Sequence, residues 1–173
     1  MKPTLVLAAT LLCAVALADR APWQAEIDAT IPVTARHLGV WEGIYRRYDA
    51  TGAALESFDS RVEMRFDDTG AYRQTNTYSR DGEVTQVIEA AGKLGSDRLF
   101  FANDRVEGWA ADVAADPERL TSVLFMRFKD DSGIECHELI RLTADGERRH
   151  RMTQCVRGGK LLSRTLIDER RVE

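Results

Sequence analysis

The residues with the most chemical promise lie in YRQTNTY, where Tyr72, Gln74, Asn76 and Tyr78 share one parity and Arg73, Thr75 and Thr77 share the other. Successive side chains on a strand face opposite ways, so the four phenol and amide groups stand together on one face. Left unpaired in an apolar core they would be costly, so the face either looks outward or lines an interior that holds water or a polar ligand. Tyr45 and Arg47, in HLGVWEGIYRRYD, place similar groups on an earlier strand, and Trp109 is a further wall residue. Tyr45, Arg47, Tyr72, Gln74, Asn76, Tyr78 and Trp109 therefore form the candidate binding set, in which Tyr, Asn, Gln and Arg orient the polar end of a small amphipathic or aromatic molecule. A second reading makes the chain a lyase or isomerase, with Tyr45 or His137 as the acid–base group and Arg47 stabilising an anion. A third makes it an interaction module of the cell envelope with a filled core.

Other constellations point away from metal and cofactor chemistry. Cys136 and His137 in ECHE are strand neighbours and cannot share an ion. His150 lies roughly 13 Å from His137 along an antiparallel pair, and His37 precedes the strands. No Ser/His/Asp order, phosphate-cradling glycine loop or paired-Cys zinc spacing is present, so no metal and no cofactor is expected. Arg148, Arg149, His150 and Arg151 form a basic cluster that alternation divides between two faces, and solvated charge is the expected reading.

These residues need strands to position them. Asp/Asn/Gly turn signals recur along the chain, among them Asp67-Asp68-Thr69-Gly70, Arg80-Asp81-Gly82, Asp130-Asp131-Ser132-Gly133 and Ala144-Asp145-Gly146. Between them run period-two segments such as RVEMRF, RLTSVLFMRF and LLSRTLIDERRV. About ten strands in up-and-down order follow, with a short helical or irregular segment before them. Only Ala110–Leu120 has room for a helical turn between strands. An open meander of this length exposes two edges, and closure removes them, so an all-β closed antiparallel barrel of about 8–10 strands is expected, with a sandwich as the alternative. A two-residue turn at Asp145-Gly146 sets Cys136 opposite Cys155, within disulfide reach.

Gly39-Val40-Trp41 on the first strand, with an Arg near the end of the last, resembles the lipocalin and calycin pattern. That resemblance implies that Trp41 sits at the closed end of the barrel and that Arg170 or Arg171 covers it. The stretches LGVWEGIYRRYDATG, YRQTNTY, RLFFAND and LLSRTLIDERRV are similar to an uncharacterised lipocalin-like family known only as a domain of unknown function. That family is related in fold to phycobiliprotein chromophore lyases.

The chain opens with MKPTLVLAATLLCAVALA, a Lys followed by an uncharged stretch too short to span a bilayer of about 30 Å, then a small-residue cleavage site after Ala18. Residues 1–18 read as a Sec-type signal peptide and 19–173 as a single barrel domain, placed in the periplasm or secreted. No membrane span is expected after cleavage. Formal charge of −4 on the whole chain offers no bulk attraction to nucleic acid, and a monomer with a small-molecule ligand is the expected state. N-terminal sequencing of exported protein should begin at Asp19; a chain still starting at Met1 would overturn the export reading.

Overall fold

The computed structural model describes residues 22–172. The expected signal peptide and its cleavage point lie outside them. Ten strands run as β1 (Gly39–Asp49), β2 (Ala54–Phe66), β3 (Tyr72–Arg80), β4 (Glu83–Leu94) and β5 (Leu99–Ala102). They continue as β6 (Val106–Asp112), β7 (Thr121–Phe128), β8 (Ile134–Leu142), β9 (Arg148–Arg157) and β10 (Lys160–Arg171). Each pairs antiparallel with its neighbour in sequence, and β1 pairs with β10, so the meander closes into an up-and-down barrel. Among the described residues no helix is long and apolar enough to cross a membrane.

Polar turns built by the predicted residues set the register. At the β2–β3 turn the Asp67 carboxylate accepts from the amides of Thr69 and Ala71 at 3.0 and 3.1 Å. At the β8–β9 turn Asp145 accepts from Glu147 N at 3.0 Å, while Gly146 takes φ +76°, a conformation that disfavours side chains. Ala110–Leu120 holds no helix. Its Asp116 carboxylate binds the amides of Glu118 and Leu120, and this local capture competes with helical pairing. Gly43 serves a different end: a Cβ there would lie 2.0 Å from the Asp168 carbonyl oxygen of β10, so glycine permits the approach of the two strands that close the barrel.

Two short helices, α1 (Pro22–Thr30) and α2 (Pro32–Ala35), plug one end. Ile27 and Ile31 pack with Tyr72, Leu99 and Ala110, and the Trp23 ring stacks on Phe66 at 5.7 Å between centroids. α2 is anchored to the barrel through Asp112, whose carboxylate accepts from Val33 N, Thr34 N and the Thr34 hydroxyl at 2.6–2.8 Å. The opposite end carries the β1–β2, β3–β4, β5–β6, β7–β8 and β9–β10 turns and is left uncovered by the helices.

Cys136 on β8 is directly opposed to Cys155 on β9, and the two form a disulfide, as the hairpin register requires. The ladder closes at Thr143 and Arg148 rather than at Ala144 and Glu147, which lengthens the turn without changing the register. The closed loop is short, with a sequence separation of 19, and removing such a crosslink costs about 3 kcal/mol in the unfolded-chain entropy picture. Reduction, or Cys136→Ser with Cys155→Ser, should lower the urea midpoint accordingly. Two titratable thiols in unfolded, unreduced protein would contradict the bridge.

Candidate functional site

Strand alternation brings Trp41, Gly43 and Tyr45 to the inner face of β1 and turns Glu42, Ile44 and Arg46 outward. Trp41 is fully buried, and its indole Nε1 donates to the His37 carbonyl at 2.7 Å. Guanidinium carbons of Arg149 and Arg171 each lie 4.4 Å from its ring. A desolvated contact of this type is worth about 2 kcal/mol. Of the two expected lid arginines, Arg171 is the one that covers the ring. It also donates to the carbonyls of Leu38 at 2.7 Å and Gly146 at 3.3 Å, and to that of Arg36. Arg170 has the opposite parity and reaches Glu42 from the outer surface, 3.9 Å away.

Above the indole runs a buried ionic chain. Arg149 pairs with Glu169, Arg151 Nη1 donates to Glu169 at 3.2 Å, Arg151 Nε donates to Glu138 at 2.6 Å, and the Thr153 hydroxyl donates to Glu138 at 2.8 Å. The solvated reading of the basic cluster is therefore corrected: Arg148 and His150 face outward, while Arg149 and Arg151 enter the core because β9 alternates. Burial would raise the Glu169 carboxyl, but the Arg151 and Arg149 guanidiniums hold it below the usual carboxylate range. Burial opposes the Arg151 charge, and Glu138 and Glu169 outweigh it.

Beyond this chain the interior opens into a cavity of about 280 Å³. Tyr45, Gln74, Asn76 and Tyr78 form one side with Gln86; Glu138, Arg151, Thr153 and the disulfide form another; Ile88, Leu124, Met126 and Phe128 supply apolar surface. Asn103 and Arg105 of the β5–β6 turn stand at the rim. Tyr45 stacks on Phe58 at 4.4 Å and meets the edge of Tyr78 at 5.7 Å, so β1 and β3 side chains touch across the β2 residue between them. Burial pushes the Tyr78 phenol up to about 12 and that of Tyr72 up as well, so both remain hydroxyl donors at neutral pH.

Four of the seven expected binding residues thus line one cavity. Tyr72 lies beneath it, packed against the helical plug and donating to Gln74. Arg47 does not reach it: a bulge follows at Tyr48, and the exposed guanidinium pairs with Glu56 at 3.1 Å. Trp109 is on the outer wall, opposed to Phe100 and Phe125 and covered by Arg98 at 4.9 Å, because the inner face of β6 belongs to Val106, Gly108 and Ala110. His137 also faces outward, against Phe125, so the expected acid–base pairing of His137 with Arg47 is not assembled. The missed residues are Glu138, Arg149, Arg151, Thr153 and Glu169. Their signal was parity: Glu138 shares a face with Cys136 and Leu142, and Thr153 and Arg151 with Cys155. Among the described residues no cluster of His, Cys, Asp or Glu is arranged to hold a metal ion.

Residues 33–173 match the family described as Domain of unknown function (DUF3598), N-terminal. Three solved structures share the fold. A protein of unknown function from the DUF3598 family of Nostoc punctiforme aligns over 81% of this chain at 17% identity, with TM-score 0.63. The chain spans about half of that protein, 49% of its length. The S-type phycobiliprotein lyase CPES of Guillardia theta aligns over 80% of this chain and 89% of its own, at 17% identity and TM-score 0.56. Rv2717c of M. tuberculosis aligns over 90% and 100% respectively, at 14% identity and TM-score 0.59. No curated protein matches by sequence.

His37 is buried beside this charge system, its Nε2 3.1 Å from the Ser122 hydroxyl. Burial first, then Arg149, Arg151 and Arg171, lowers its pKa well below 6.5, so the folded protein holds it neutral. An unfolded chain protonates His37 as pH falls through 6.5, and the folded chain resists. This contribution to stability is therefore complete above that pH and lost below it, by up to about 1.4 kcal/mol per pH unit. The urea midpoint of the protein should fall between pH 7 and 5, and His37→Gln should flatten that decline; an unchanged slope in the variant would remove His37 as its source.

Proposed function

The chain belongs to the DUF3598 family, and we propose that it is an exported barrel that holds a small, largely apolar molecule with a polar end inside the cavity. One observation carries the reading: an interior of about 280 Å³ has amide and phenol groups on one side and aliphatic and aromatic groups on the other. Closed barrels of this size are either filled by side chains or hold a single ligand, and long polar residues fill an apolar interior poorly. The fold likeness to a phycobiliprotein lyase supports the architecture alone, because function resides in side chains set on a fold. Export is supported by the composition of residues 1–18 and by the disulfide, a crosslink that persists in oxidising compartments.

Native mass spectrometry of protein purified from its own source should show a bound small molecule released on denaturation. Asn76→Leu removes a cavity amide while keeping its volume. It should leave the fold intact and weaken retention roughly tenfold to a hundredfold, the usual effect of a lost buried hydrogen-bond partner. A chain that carries no small molecule and excludes small aromatic probes from the cavity would overturn the reading.

A further inference from the structure

The hydrogen-bonding groups of the cavity are polarised in one direction, and this polarity specifies the ligand's polar end; the inference rests on the binding reading above. On β3 the Tyr72 hydroxyl donates to Gln74 Oε1 at 2.6 Å, and Gln74 Nε2 donates to Asn76 Oδ1 at 2.9 Å. Each oxygen in the file is taken from below, and Asn76 ends it with Nδ2 protons that no described residue accepts. Across the cavity, Arg151 spends Nε on Glu138 and Nη1 on Glu169 and keeps Nη2. Glu138 is occupied at both oxygens, by Arg151 and Thr153. Tyr45 accepts from the Thr165 hydroxyl at 3.2 Å, which leaves its own proton free. The cavity therefore offers donors and has few acceptors left, and a chain of like-directed hydrogen bonds strengthens its terminal donor.

Charge narrows the class further. Arg149 and Arg151 are matched by Glu138 and Glu169, all four buried, so the interior ionic chain is formally neutral. Nothing in that set is left to compensate a charge carried in by the ligand, and an uncompensated buried ion is strongly unfavourable. We infer that the cavity selects a neutral hydrogen-bond acceptor, a carbonyl compound such as a ketone, quinone or lactam on an apolar ring or chain. Its oxygen takes a proton at the Asn76 end, and its body lies against Ile88, Leu124 and Met126.

The test uses three probes with one ring system, 2-acetylnaphthalene, 2-naphthoate and 2-naphthylmethylammonium, titrated into the full chain and followed by fluorescence. The ketone should bind about tenfold or more tighter than the ammonium ion and tighter than the carboxylate. Asn76→Asp keeps the acceptor for Gln74 but replaces the free donor with an anionic oxygen. It should reverse the order of ketone and ammonium. Asn76→Leu should weaken the ketone with no gain for the ammonium ion, and it decides the matter if Asn76→Asp does not fold. Equal binding of all three probes, or a preference for ammonium, would overturn the acceptor assignment and leave the binding reading standing. Tighter binding of naphthoate than of the ketone would overturn neutrality. Failure of all three probes to bind would remove both this inference and the binding reading.

Discussion

The indole of Trp41 lies between the guanidinium groups of Arg149 and Arg171, each 4.4 Å from the ring, and the closed end of the barrel is assembled around that stack. Two like charges on one ring require compensation. Glu169 supplies it for Arg149, and the backbone carbonyls of Arg36, Leu38 and Gly146 supply it for Arg171. One side-chain cluster thereby ties together β1, β9, β10, the β8–β9 turn and the segment that leads in from the helices. These parts are far apart in sequence, so the stack acts on long-range order that no local propensity supplies.

The same arginine begins the ionic chain that continues through Glu169, Arg151 and Glu138 towards the cavity. Buried ion pairs are weak sources of stability, since desolvation offsets much of the attraction, but removal of one partner strands the other at a cost of about 3–5 kcal/mol. The arrangement therefore resists rearrangement more than it stabilises. It also divides the interior. Below it the space is filled by Trp41, Val33, Leu120 and Leu142; above it the side chains stop short of one another and the cavity begins. The charges that close one end thus also form the inner boundary of the site.

The outer wall has a different chemistry. Phe100, Trp109, Phe125 and His137 form a cross-strand row on β5 to β8, with Arg98 over the Trp109 ring. Aromatic neighbours at 5–6 Å stabilise adjacent strands directly, without a core behind them. On this side the barrel has two layers of packing, an inner one and an outer one, which explains aromatic residues of both parities in its sequence.

Turn chemistry and period-two patterning made the strand count, the closure and the Cys136–Cys155 pairing legible in the chain itself. Each rests on local spacing, and antiparallel register propagates from a turn with little freedom. Parity also grouped Gln74, Asn76 and Tyr78 and set them with Tyr45. What parity alone leaves open is which face is the inner one and how far along a strand the interior extends. Arg47 has the inward parity of Tyr45 yet emerges at the rim, because the barrel ends and a bulge intervenes. Trp109 is as apolar as any core residue, but its glycine and alanine neighbours, small enough to admit Phe101, hold the inner face. Arg149 and Arg151 look like surface charge until their carboxylate partners are in place. Glu169 is twenty residues from Arg149 and eighteen from Arg151, and Glu138 is thirteen from Arg151. The sequence by itself determined the strands and their order, since those follow from alternation and turn residues. Only the closed barrel decided which charges are buried, because a guanidinium enters the core only where another strand brings a carboxylate to meet it.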